Sequence, residues 1–147
     1  MSLTNVFNIA GSGMSAQSTR LNTVASNIAN AETVSSSLEE TYRARKPVFA
    51  TVLQQQVHPA GHSLFAEQEA AGYGVRVAGI VEDKAELQAR YEPTHPAADK
   101  DGYVYYPNVN VVEEMADMIS ASRAFQTNTE MMNTAKTMLQ KVLTLGQ

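Results

Sequence analysis

The sequence predicts a mainly α protein with a small β region. Long N- and C-terminal helices are expected to pair as an antiparallel coiled-coil-like core domain, with a small β-rich middle domain between them. Three observations predict this. All five prolines lie between Pro47 and Pro107, so both ends lack the residue that breaks helices. Both ends repeat apolar residues every seven positions. All six tyrosines and most of the charged residues fall in the stretch between those ends.

The N-terminal element comes first. Phe7, Met14, Leu21 and Ile28 form one row. Leu3, Ala10, Gln17 and Val24 form a second row offset by three, with Gln17 its single polar member. These are the a and d rows of a heptad. Ser2 supplies an N-cap. A helix from Ser2 to Asn30 would be about 43 Å long at 1.5 Å per residue. Away from the rows its face is uncharged and hydrogen-bonding, with Asn8, Ser15, Thr19, Asn22, Ser26 and Asn27. A solvated helix normally carries Glu and Lys there, and the first 31 residues hold one charged side chain, Arg20. Two readings fit: a weak, frayed terminus, or a helix packed on several sides by other helices that orders when subunits stack.

The middle shows strand signals at 42–52, 75–81 and 103–106, which predict a small three-stranded sheet. Pro47 marks an edge strand or a bulge, and Asp101-Gly102 a turn before the last strand. Residues 54–72 have little periodicity and read as an inserted loop.

The C-terminal element repeats the pattern of the first. Val111, Met118, Phe125, Met132 and Leu139 form one row; Ala121, Asn128, Ala135 and Val142 lie three residues on, after a polar start at Glu114. Asn110 followed by Glu113 is a capping-box pattern, Pro107 precedes it, and Gly146 marks the exit. The narrow seams predict that the two helices pair with each other, through Phe7, Met14, Leu21, Val24 and Ile28 on one side and Val111, Met118, Phe125, Met132 and Leu139 on the other. The alternative is that each packs onto a compact middle domain. The expected organisation is 1–33 N-terminal core helix, 34–107 middle domain with an inserted loop near 54–72, and 108–147 C-terminal core helix.

Composition excludes several function classes. At 147 residues the chain is one domain's length. A net charge of −4 is the wrong sign for neutralising nucleic-acid phosphates. There is no Cys, hence no disulfide, thiolate metal site or Cys nucleophile. No apolar run is long enough to span a membrane, and the N-terminus lacks the basic and apolar regions of a cleaved secretory signal.

Candidate chemistry is sparse. His58 and His62 have metal-ligand spacing, but Pro59 and Gly61 between them argue against a helix. His95 lies in an extended turn before Pro96. Asp99-Lys100-Asp101-Gly102 resembles part of a calcium loop, yet aligning Gly102 to the sixth position puts Ala97 and Asn108 at the first and twelfth, so a hairpin turn is the reading. Gly11-Ser12-Gly13 lacks the Lys and the strand–helix context of a phosphate loop. No Ser-His-Asp set is visible. No catalytic residue, metal or cofactor is expected, and no small-molecule substrate.

Two stretches carry a family resemblance. Leu21 to Thr33, LNTVASNIANAET, resembles the "LNxxAxNIANxxT" signature of bacterial flagellar axial proteins, the rod and hook family, with Asn27, Asn30 and Thr33 on its defining positions. Asn108 to Asn128, NVNVVEEMADMISASRAFQTN, is similar to the family's second signature and contains Asn110. YEPTHPAADKDGYVYYPNVN, from Tyr91 to Asn110, and the ending LTLGQ are similar to its proximal rod branch. The resemblance implies a structural, non-catalytic subunit of the flagellar basal-body rod, polymerising into a hollow drive shaft in the periplasm. It implies export by the flagellar type III apparatus without a cleaved signal. The implied partners are copies of itself, other proximal and distal rod subunits, the rod-to-membrane-ring junction protein and the export apparatus. Thr19, Ser26, Asn27, Asn30, Thr33, Asn108, Asn110 and Asn128 are the expected motif and subunit-contact residues. The alternatives are another rod or hook-type protein, or a secreted coiled-coil adaptor that does not polymerise. The adaptor would need charged outer faces on both helices. An acidic cell-wall hydrolase would need an isolated acid in a cleft.

Overall fold

The structure, a computed structural model, describes residues 3–52 and 74–145. The expected insertion at 54–72, the His58/His62 pair, the Ser2 cap and the Gly146 exit lie outside the described residues. Helix α1 spans Leu3–Ala29 and helix α2 spans Val111–Leu145, 27 and 35 residues. Between them lie four strands: β1 Arg45–Thr51, β2 Val75–Glu82, β3 Gln88–Tyr91 and β4 Tyr103–Tyr106.

The helices end as their sequences dictate. The last carbonyls of a helix have no partner within it. At the end of α1, Asn30 Nδ2 donates to the Ser26 carbonyl (2.8 Å) and Thr33 Oγ1 to the Asn30 carbonyl (2.7 Å). At the start of α2, Asn110 Oδ1 accepts from the Val112 N–H (3.1 Å), the Asn half of the capping box. Glu113 and Glu114 in the first turn suit the positive end of the helix dipole.

The sheet differs from expectation. Among the described residues there are four strands rather than three, in two separate antiparallel pairs, β1–β2 and β3–β4. β3 (QARY) is four residues long with every residue exposed, too short and too polar to leave a periodic signal. The register of β1–β2 runs from Arg45↔Glu82 to Thr51↔Val75 and shifts between Val48 and Phe49, where Ala78 is the extra residue. Pro47 is tolerated because in a two-stranded ribbon each strand is an edge. Ser35 adds a bridge to Tyr105 of β4, through N–H to carbonyl bonds of 3.2 and 3.1 Å.

The β3–β4 connection is a set of turns. The Gly102 N–H donates to the Asp99 carbonyl (2.9 Å), and Gly102 adopts φ 80°. That is the hairpin-turn reading of Asp99–Gly102. His95 Nδ1 accepts from the Ala97 N–H (3.1 Å), so this histidine closes a turn. Tyr91 and Tyr103 then stack edge-to-face with centroids 5.4 Å apart.

α1 is the common wall. α2 lies antiparallel along one side, since Asn27 meets Glu114, Arg20 meets Asp117 and Met14 meets Thr129. β1 and β2 lie along another side. The β1 start bonds to Asn27, and the β2 start bonds to Ser12, whose Oγ accepts from the Val75 N–H (3.1 Å). A Cβ on Gly74, which has φ 134°, would collide with the Ser12 side chain, so only glycine brings β2 this close to α1.

Candidate assembly interface

The core of the described residues is made of small side chains. Its buried apolar members are Ala10, Ala16, Val24, Ala31, Ala44, Val104, Pro107, Val109, Ala121 and Ala135. Between the helices, the buried line on α1 is Ala10 and Val24 with the Gln17 Oε1, with Ala31 following just past the helix end; on α2 it is Glu114, Ala121 and Ala135. These are the second rows of the two heptads. Met14 and Met132 and their row mates Phe7, Leu21, Ile28, Val111 and Met118 are half-buried on the flanks. Phe125 and Leu139, expected in the seam, are exposed at 37% and 39%. The physical reason is the size of the central row. Alanines and the glycine at 13, whose Cβ position faces the Asn128 amide, let the backbones approach closely, which pushes larger side chains outward.

Asn27 joins three elements and uses all of its amide. Its Nδ2 donates to the Arg45 carbonyl (2.8 Å) and to Glu114 Oε1 (3.0 Å). Its Oδ1 accepts from the Tyr42 hydroxyl (2.9 Å) and the Arg45 N–H (2.9 Å). The residue is 1% exposed. Ser26 Oγ lies 3.3 Å from the Tyr42 hydroxyl. Asn27 and Ser26, expected as motif and subunit-contact residues, make contacts within the chain. They face the segment returning from α1, because Tyr42 and Arg45 fold back over the last two turns of the helix.

Glu114 completes that node. Burial pushes its carboxyl up; the Asn27 amide opposes this, nearby Asp117 adds to it, Lys46 opposes it and Glu113 adds to it. Oε1 is held by Asn27, while Oε2 is buried without a partner among the described residues. Beside it, Arg20 Nη2 contacts Asp117 Oδ1 at 2.8 Å, so the one charged side chain of α1 bridges to α2.

Asn108 is a second node. Its Oδ1 accepts from the Ala44 N–H (2.8 Å), and its Nδ2 donates to the Asp83 and Ala85 carbonyls (3.3 and 3.2 Å). Lys46 Nζ lies 2.8 Å from Asp83 Oδ2; that bond holds the lysine pKa up and the aspartate pKa down. Thr19 Oγ1 donates to the Ser15 carbonyl (3.2 Å), and Asn128 is half-buried opposite Gly13. The expected site residues thus fall into two groups. Asn27, Asn30, Thr33, Asn108 and Asn110 make intrachain caps and nodes, while the uncharged outer face of α1 is carried by Thr4, Asn8, Ser15, Ser18, Asn22, Ala25 and Ala29, all exposed. Sequence reasoning missed Tyr42, Arg45 and Ser12 as partners. Glu114, the one acid in its heptad row, was the available signal for the first node.

These features define a class of protein: two terminal helices that share a narrow small-residue core and keep large apolar side chains and an uncharged face exposed. A family model described as flagella basal body rod protein matches residues 7–34, on α1 and its cap. Another, described as flagellar basal body rod FlgEFG protein C-terminal, matches residues 100–145, on β4 and α2. The chain is 48% identical to the flagellar basal-body rod protein FlgC of Escherichia coli O6:H1 and 47% identical to that of Salmonella typhimurium, in each case over 147 residues and 100% of both chains. It is 38% identical over 151 residues to the FlgC of Borreliella burgdorferi, covering 100% of this chain and 99% of the relative. The chain belongs to the FlgC family of flagellar basal-body rod proteins.

Proposed function

We propose that this chain is a structural subunit of the proximal rod of the flagellar basal body, without catalytic activity. Full-length similarity to rod proteins supports the reading, and one structural observation carries it. Among the described residues the buried apolar side chains are Ala, Val and Pro107, while Val112, Met115, Ile119, Met138, Val142 and Leu143 are all more than half exposed. A chain that leaves its large apolar residues outside is completed by neighbours. In this reading the helices form the antiparallel coiled-coil-like core domain (1–33 and 108–147), and 34–107 forms the β-rich middle. The exposed uncharged face of α1 meets other subunits. Partners are copies of the chain, neighbouring rod subunits, the rod-to-ring junction protein and the export apparatus, reached without a cleaved signal. No helix among the described residues is long and apolar enough to cross a membrane.

The test uses the exposed face. Asn22→Glu places a charge there without touching the Asn27 node. The expected outcome is a normally folded, exported chain that fails to complete rods, giving non-motile cells, because an unpaired charge at a subunit contact is strongly unfavourable. Lys84→Glu, in the exposed loop after β2, serves as the control and leaves motility intact. Normal rods with Asn22→Glu would favour a solvated face and the adaptor reading.

A further inference from the structure

The terminal helices meet along rows that repeat every seven residues, and the buried apolar members of the seam are nearly interchangeable. They are Ala10 and Val24 on α1, and Ala121 and Ala135 on α2. A seam of this kind packs almost as well after a slip of one heptad, which would carry the outer face of α2 about 10 Å along α1. Something other than apolar burial must choose the register.

Two contacts share one offset. Asn27 bonds Glu114; two heptads back along α1, Gly13 faces Asn128, which lies two heptads on along α2. The same offset sets Arg20 level with Ala121 and Val6 level with Ala135. Large thus stands opposite small at every layer but the hydrogen-bonded one. The tightest fit is at Gly13, where a Cβ would lie 2.9 Å from Asn128 Nδ2 and 3.2 Å from its Cγ. Gly13 is helical and has no positive φ, so it is the space and not the backbone that calls for glycine. No hydrogen bond holds the Asn128 amide among the described residues, and the Gln17 Oε1, one turn on from Gly13, is buried without a partner among them. Side-chain amides in a helix seam cost stability against apolar ones, and what they supply in coiled coils is a defined register.

We propose that Asn128 and Gly13 form a knob and socket that set the register of α2 on α1. A slip of one heptad either way puts an alanine opposite Gly13, leaving a hole, and drives the Asn128 amide against Val6 or Arg20, where there is no socket. Either slip also parts Glu114 from Asn27. The register decides which residues of the uncharged face of α1 stand beside which exposed residues of α2. The role is internal to the chain and holds whatever meets its outer surface.

The chain has no cysteine, so introduced pairs report register directly. Met14 and Thr129 are in contact, at 3.4 Å, and mark the register of the structure. In the purified full chain, Met14→Cys/Thr129→Cys is compared with Met14→Cys/Ser122→Cys and Met14→Cys/Lys136→Cys, which mark the two one-heptad slips. Under mild oxidation the first pair should form its intrachain disulfide about tenfold faster than either of the others, the factor expected of one hole and one overpacked site. Gly13→Val fills the socket and is expected to reverse that order. Adding Asn128→Ala to Gly13→Val again sets large opposite small and should bring the first order back, which repair of a general packing defect would not do. Equal rates for the three pairs with Gly13 and Asn128 intact, an unchanged order in Gly13→Val, or no recovery on adding Asn128→Ala would each overturn the proposal.

Discussion

Asn27 is the residue on which the most depends. Four hydrogen bonds end on one buried side-chain amide, the one to Glu114 buried and the three to Tyr42 and Arg45 partly so. Asn27→Ala would leave the Arg45 N–H and carbonyl, the Tyr42 hydroxyl and Glu114 Oε1 without it. A buried group left unsatisfied costs about 1–3 kcal/mol. Urea unfolding of the full chain is therefore expected to show a loss of about 3 kcal/mol or more for Asn27→Ala. Glu114 makes a pH prediction. Burial raises its folded-state pKa, so its contribution to stability is fully present below the unfolded value and is lost as pH rises through the folded value. Asp83 works in the opposite sense, its lowered pKa giving a contribution that is lost as pH falls below the ordinary carboxylate range. The two windows lie on opposite sides of that range. Glu114→Gln keeps an oxygen for Asn27 and carries no charge. Its urea midpoint should be flatter than that of the unmodified chain from the ordinary glutamate range upward, and higher at neutral pH. An unchanged profile would mean that burial does not raise the Glu114 carboxyl in the fold.

At the level of elements, α1 and α2 are held by side chains too small to be noticed in a hydropathy count. Ala121 is 0% exposed. Ala121→Leu adds bulk where the backbones are closest, and overpacking of this kind costs about 1–3 kcal/mol. The same change on the exposed side, Ala116→Leu, is expected to be near neutral in thermal melts, so comparing the two separates the central row from the outer face. The β1–β2 ribbon depends on α1 in a different way. Its two ends are pinned by Asn27 and Ser12 rather than by buried apolar side chains, and most of its residues are exposed. A two-stranded ribbon is marginal by itself in water, so the helix is what keeps it.

For the whole molecule, the small core has a consequence in solution. Helix α1 has glycines at 11 and 13, each unfavourable by about 1 kcal/mol relative to alanine, and no charged pair along its own length. Its order rests on contacts with α2 and the ribbon. In dilute monomer, hydrogen exchange is expected to be fast through residues 3–20 and the last turns of α2, and slower around Ala31, Ala44 and Val109, where Tyr42 and Val111 pack on buried neighbours. Incorporation into rods should protect both helices. Strong protection of residues 3–20 in the monomer would show that the uncharged face needs no neighbour.

The sequence by itself determined the two helices, the Asn110 cap of the second and the family. Period, proline placement and capping residues are local signals, and they act within a turn or two of the chain. It also identified the turn at Asp99–Gly102 and the structural character of His95, since both bond to residues within a few positions. The tertiary structure decided the rest. Heptad rows show that a seam exists, but which row lies at its centre depends on how near two backbones can come. That is set by small residues on one helix facing the other across the chain, as Gly13 of α1 faces Asn128 of α2, 115 residues on. The split of the expected sheet into two pairs, and the short β3, follow from partners supplied by α1 and Ser35 rather than from strand pattern. Asn27 is the clearest case. Its motif position was legible, but its work was not, because an amide on a helix reads as a surface residue until Tyr42, Arg45 and Glu114 are folded around it.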